Sequence, residues 1–192
     1  MSSGVNKPTR VAFQGERGAF SEEAALKLLG DEIELVPLKT FDALFSSVDN
    51  GEADYVLAPV ANTIAGPVRT SLNLLERSSL VMIAEVEIPI EQHLIGFPTA
   101  TLTHIETVQS HPVALAQCRR FFADNPRLKA IDADDTAGSV AEVVRRGDVT
   151  CAAIAGRRAA ELYGASIIRE SIQDCPKNFT RFVLLAMKGN ES

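Results

Sequence analysis

The sequence predicts an α/β fold of two β-α-β lobes facing each other across an interdomain cleft, and three observations lead there. Short apolar runs alternate with amphipathic stretches along the chain, the pattern of strands and crossover helices. The pattern occurs twice at an offset of 96 residues: Thr40 and Thr136 each open a helix that Gly51 and Gly147 close. Polar loops follow the strands, where open α/β sheets bind their ligands.

The bulk numbers allow this and exclude several alternatives. A chain of 192 residues has room for one large domain or two lobes with ample core. Hydrophobic residues make up 46% and charged residues 23%, ordinary values for a globular protein. A net charge of −6 argues against a nucleic-acid partner, which needs a basic face. No basic amphipathic helix or long apolar span suggests a membrane partner. Cys118, Cys151 and Cys175 are too scattered for a disulfide framework, and His93, His104 and His111 lack zinc-motif spacing. No metal site is therefore expected. Met1 to Arg10 is polar and carries no signal-peptide core, so residues 1–10 are expected to form a flexible arm and the protein to be cytoplasmic.

In order, Val11-Ala12-Phe13 reads as a buried strand ending in a loop with two glycines, Gln14 to Phe20. Ser21 is expected to cap a helix with apolar positions at Ala24, Ala25, Leu28 and Leu29. Ile33 to Pro37 is the second strand, and Thr40 opens a helix stopped by Gly51. Tyr55 to Val60 is the third strand, followed by a helix from about Pro67 to Glu76. Leu80 to Ile90 is a long apolar run, a candidate for self-association, followed by His93 to Phe97.

The second round places strands at Thr107–Gln109, Leu128–Ile131, Cys151–Ala155 and Ile167–Ile168. Its helices are expected at Val113–Phe122, from Thr136 to Gly147, and from Gly156 to about Tyr163. The expected division is 11–88 plus 173–188 for the first lobe and hinge, and 89–172 for the second. Such a pair of lobes resembles a type II periplasmic-binding-protein architecture. Several cleft-edge loops open helices, whose free N–H groups suit a small anion. Near the end, Thr180 and Arg181 stand side by side where a polar loop becomes an apolar strand, offering a hydroxyl and a planar donor fork.

Five segments then resemble, in order, the motifs of prephenate dehydratases. They are Gly15 to Ala25, Pro59 to Gly66, Ser110 to Cys118, Asp135-Thr136-Ala137 and Asn178 to Phe182. The likeness covers Val11 to about Met187. It implies a cofactor-free lyase of phenylalanine biosynthesis, acting on the dicarboxylate prephenate and losing water and carbon dioxide. Carried over by position, it implies catalytic roles for Thr180, Asn62 and Gln117. Ser21, Thr63, Ser110, His111, Arg181 and Phe182 would contact substrate. It also implies a homodimer or higher homo-oligomer.

Each residue has a plainer alternative. Ser21 could simply cap its helix, Asn62 hold a turn, Gln117 face solvent, and His111 be structural. The chain departs from the family pattern at Ala61 and Val113, where a glutamate and a glutamine are usual, and at Ala19. Many bacterial members continue into a phenylalanine-binding ACT domain, whereas this sequence ends at Ser192, just after the last expected strand, so either a protein without that control or a catalytic-domain fragment is expected. Two other functions fit: an arogenate dehydratase, or a non-catalytic paralogue that binds a small anion.

Overall fold

Residues 7–189 are described by the computed structural model of the chain. They fall into two compact units. One takes the chain up to Gln14, Ser21–Ile88 and the stretch from Thr180 onward; the other takes Gly15–Phe20 and Pro89–Phe179. The glycine loop 15–20 and residues 173–179 thus group with the second unit, outside the expected boundaries.

In the first unit β1 (Thr9–Gln14) lies between β2 (Ile33–Leu38) and β3 (Tyr55–Asn62), all parallel. The crossovers are α1 (Phe20–Leu29) and α2 (Phe41–Ser46). A two-residue strand, β4 (Gly66–Pro67), folds back on β3 before α3 (Arg69–Arg77) and β5 (Leu80–Pro89). The last strand, β11 (Phe179–Met187), returns antiparallel to β3 and completes the order β2-β1-β3-β11-β5. Strand alternation sends Ala12, Val56, Ala58, Val60, Val183 and Leu185 to one face, where Leu44 and Phe45 of α2 cover them.

The second unit contains β6 (His93–Gly96), β7 (Thr107–Ser110), β8 (Lys129–Asp132), β9 (Cys151–Ala155) and β10 (Ser166–Arg169), in the order β10-β6-β9-β7-β8. Its helices are α4 (Pro112–Ala116), α5 (Arg119–Asp124), α6 (Thr136–Arg146) and α7 (Arg157–Tyr163). The central β9 is covered on both faces. Ala152 and Ile154 pack with Leu115 and Phe121, while Ala153 and Ala155 pack with Ala137, Val140 and Ala159. Burial on both sides is why Cys151–Ala155 is uniformly apolar.

The repeated β-α-β-α-β order is present, with differences in detail. Thr136 opens α6 as expected, and Asp135 before it caps the helix, its Oδ1 accepting from the Gly138 N–H at 2.5 Å. Gly147 closes that helix in the left-handed region at φ 65°. Ser21 lies inside α1 rather than before it. The helix expected to start at Pro67 begins at Arg69, because Pro67 is held in β4. The α2 helix ends at Ser46, and the turns after it reach Gly51. The sheets are mixed, not purely parallel: β11 pairs antiparallel with β3 and β6 with β9, and neither strand is joined to that partner by a β-α-β crossover.

Of the expected N-terminal arm, residues 1–6 lie outside the described residues, and Thr9 and Arg10 already pair with β2. The Arg10 guanidinium donates to Asp54 at 2.8 Å and to the carbonyls of Gly51 and Glu52 at 2.6 and 3.0 Å. The hydrogen bond from Arg10 holds the Asp54 carboxyl below its ordinary range.

The loop 15–20 is seated on the second unit by close contacts. Gly18 has φ +84°, and a Cβ there would lie 2.9 Å from Ala159 Cα. Next to it, the Tyr163 hydroxyl donates to the Arg17 carbonyl at 2.8 Å. Gly18→Ala should therefore cost about 2–4 kcal/mol, combining left-handed strain with overpacking. A lower urea midpoint is the expected observation; an unchanged one would contradict this packing.

Candidate functional site

Asn62 ends β3, and Thr180, near the start of β11, is its direct partner in the antiparallel register. Directly opposed residues project to the same face with Cβ atoms about 5 Å apart, within reach of one side-chain hydrogen bond. Asn62 Nδ2 donates to Thr180 Oγ1 at 2.9 Å. The amide cannot turn over without loss, because Asn62 Oδ1 accepts from the backbone N–H groups of Ile64 and Ala65 at 2.9 and 2.8 Å. That is an Asx-turn, and it closes the segment leading into β4. Thr180 Oγ1 is thus the acceptor in its bond with Asn62. Its own hydrogen is directed elsewhere and can be donated to an acceptor brought to this face.

Adjacent strand residues point to opposite faces, so Arg181 and its register partner Ala61 lie on the side away from Thr180. Thr180 and Arg181, adjacent at the start of the strand as expected, therefore project to opposite faces. Arg181 Nη1 instead lies 3.8 Å from Glu85 Oε2, both side chains about half exposed. A contact that long and that wet contributes about 0–1 kcal/mol. The register shifts after Arg181, and Phe182 is 3% exposed within the sheet. Thr63 is exposed in the turn after Asn62, and Ser21 is buried in the first turn of α1.

The second unit holds the other expected residues. Ser110, fully buried at the end of β7, donates its hydroxyl to the Ile154 carbonyl at 2.6 Å, which commits that hydrogen to the sheet. His111 caps α4, its Nδ1 accepting from the Val113 N–H at 3.2 Å, with Pro112 at the first helical position. The cap uses only the backbone of Val113, so the exposed valine side chain leaves it intact.

Gln117 sits where the expected single helix 113–122 breaks into α4 and α5. Its carbonyl accepts from the Asp174 N–H at 2.7 Å. The Asp174 carboxylate accepts from the N–H groups of Arg119 and Arg120 at 3.2 and 2.9 Å, closing the start of α5 from outside the helix. Gln117 Oε1 accepts from Gln92 Nε2 at 3.4 Å. Asp174 and Gln92 were not foreseen. Gln92 sits at the tail of an apolar run with no periodic signal of its own, and Asp174 acts across 55 residues of sequence.

Two ionisable groups near these residues are shifted by burial. Burial pushes the Cys118 thiol up to about 12, with the Asp174 charge adding to it, so this cysteine is inert packing. Burial likewise lowers the pKa of His93, whose Nδ1 accepts from the Ser171 N–H at 3.0 Å. Among the described residues no group of three or more His, Cys, Asp and Glu side chains could hold a metal ion. A hollow of about 400 Å³ in the second unit, lined by Glu16, Gln109, Asp135, Glu142 and Arg145 among others, includes none of the expected residues.

Placing Ala61 opposite Arg181 gives a direct test of the register. Ala61→Glu would set a carboxylate cross-strand from the guanidinium and should raise stability by about 0.2–1 kcal/mol. The urea midpoint should rise, and the rise should vanish when Arg181→Ala is added. No gain would contradict the assigned faces.

Residues 11–190 match the family model described as prephenate dehydratase. An Arabidopsis thaliana protein named arogenate dehydratase/prephenate dehydratase 1, chloroplastic, is 38% identical over 185 residues, covering 96% of this chain and 47% of that protein. The structure of a prephenate dehydratase from Arthrobacter aurescens in complex with L-Phe superposes with a TM-score of 0.86 at 28% identity, covering 94% of this chain and 61% of that one. A structure described as a novel type of quorum quenching acylase gives a TM-score of 0.82 at 32% identity, covering 92% and 63%. The chain spans about half the length of the curated relatives it matches.

Proposed function

The chain belongs to the prephenate dehydratase family, and on that premise we propose that it is a prephenate dehydratase, a carbon-oxygen lyase converting prephenate to phenylpyruvate in phenylalanine biosynthesis. The observation that carries this reading is the Asn62–Thr180 hydrogen bond, which leaves a threonine hydrogen directed away from its partner. In the reaction the bond from the ring to its carboxylate breaks, and its electron pair enters the ring. The ring hydroxyl departs with a proton as water. Aromatisation drives both cleavages, so the protein has to orient the substrate and support the departing oxygen.

Thr180 is assigned that support, donating to the hydroxyl as negative charge develops on it. A threonine is too weak an acid to give up its proton outright, so it acts by hydrogen bonding or by relaying a proton from water. Asn62 holds it in place. Gln117 is the third catalytic residue of this reading, supplying an amide to the substrate. Ser21, Thr63 and His111 are assigned to substrate binding. Ser110, Arg181 and Phe182 belong to the same group of residues; the Ser110 hydroxyl, given to the Ile154 carbonyl, and the buried Phe182 suit support of the sheet more than direct contact. A cytoplasmic homodimer, with no nucleic-acid or membrane partner, completes the proposal.

A second reading is supported by the Arabidopsis thaliana relative, whose name includes arogenate dehydratase. The reacting ring is the same, and only the side chain differs, carrying an amine instead of a keto group. The third reading, a non-catalytic anion-binding paralogue, loses much of its motivation once Ala61 lies on the face away from Thr180.

The test is to incubate the purified protein with prephenate and, separately, with arogenate, and to assay phenylpyruvate and phenylalanine. An acylase assay belongs beside them because of the likeness at 32% identity. Phenylpyruvate from prephenate is expected. Thr180→Ala should lower kcat about 100-fold or more with little change in the urea midpoint. Wild-type turnover in that variant would remove Thr180 from the mechanism, and no product from either substrate would overturn the dehydratase reading.

A further inference from the structure

Gln92 lies on the connection between β5 and β6, at 3% exposure. Its backbone is pinned from both sides: the N–H donates to Gln173 Oε1 at 3.0 Å, and the carbonyl accepts from the Ile172 N–H at 2.8 Å. Two residues earlier, the Ile90 N–H donates to the Asn178 carbonyl at 2.7 Å. The side chain therefore emerges from a fixed stretch of backbone. Its Nε2 reaches Gln117 Oε1 at 3.4 Å, while its own Oε1 is buried with no hydrogen-bond partner.

Burying a glutamine and leaving its carbonyl oxygen unmatched is costly, and an apolar residue of the same size would avoid that cost. Gln92 Oε1 must in turn be what remains after Nε2 has been spent on Gln117. The benefit then lies in what Nε2 does. A primary amide has two ends of opposite character, a donor and an acceptor. By donating to Gln117 Oε1, Gln92 fixes the acceptor end of Gln117 inward and turns its Nε2, with two hydrogens, away. Asn62 in the first unit is oriented in a comparable way, with Oδ1 held by backbone donors and Nδ2 donating to Thr180 Oγ1.

We propose that Gln92 is a positioning residue: it sets the orientation of the Gln117 amide so that Gln117 offers a donor, not an acceptor, to a carboxylate or hydroxyl of the substrate. This inference rests on the dehydratase reading above.

Two substitutions separate this from a packing role. Gln92→Leu keeps the volume and removes both polar ends. Gln92→Glu keeps the shape but replaces the donor by an acceptor, which turns the Gln117 amide over to donate inward. Both should lower kcat/KM at least about tenfold. Gln92→Leu should do so with an unchanged or higher urea midpoint, since it also removes the unmatched oxygen. Wild-type kcat/KM in both would overturn the proposal.

A readout independent of turnover distinguishes failure of this inference from failure of the reaction. The side-chain amide of Gln117, observed by 15N NMR and assigned through its loss in Gln117→Leu, should be ordered in the wild type and rotationally averaged in Gln92→Leu. That result supports the positioning even if neither prephenate nor arogenate is consumed. An equally ordered Gln117 amide in the variant overturns it, whatever the activity.

Discussion

The antiparallel register of β11 against β3 is the constraint on which the site depends. It sets Thr180 opposite Asn62 and Arg181 opposite Ala61, and so decides which side chains share a face. A slip of one residue would take Thr180 away from Asn62, for instance setting Arg181 opposite Asn62 instead. Farther along, past the register shift between Arg181 and Phe182, the two strands are anchored by a ladder buried on both faces, where Leu184 meets Leu57 and Leu185 meets Val56. Each such side chain is worth about 1.5–3 kcal/mol when removed from water. The core thus determines the geometry of two polar residues at the end of the sheet.

The same construction appears twice with different parts. In the first unit an asparagine at a strand end is oriented by the turn that follows it. In the second a glutamine at a helix end is oriented by a residue 25 positions away in sequence. Both leave an amide nitrogen or a hydroxyl hydrogen as the available group. A substrate carrying two carboxylates and a departing hydroxyl requires donors, which is the chemistry these residues can supply without a strongly shifted acid or base.

Much of this was legible in the sequence. Alternating apolar runs and the Thr40-to-Gly51 and Thr136-to-Gly147 spacings led to two α/β units, and the family resemblance singled out Asn62, Gln117 and Thr180, of which Asn62 and Thr180 are hydrogen-bonded to each other. What stayed hidden depends on pairing between distant segments. Whether β11 runs parallel or antiparallel to β3 cannot be seen in either strand alone, and the opposite facing of Thr180 and Arg181 follows from that pairing. The break at Gln117 was hidden because Val113–Phe122 has helical periodicity, while Asp174, which closes the second piece, lies far along the chain. Gln92 had no signal because burial of a polar residue leaves no trace in a hydrophobic pattern.

The central claim is that Asn62 and Thr180 act as one device, the amide orienting the hydroxyl. The measurement that addresses it most directly is a double-mutant cycle on kcat with Asn62→Ala and Thr180→Val, using whichever dehydratase substrate the wild type consumes. The account predicts that the double variant is no slower than the slower single variant, because removing either partner already disables the device. Losses that multiply would show that the two residues act independently and would contradict it.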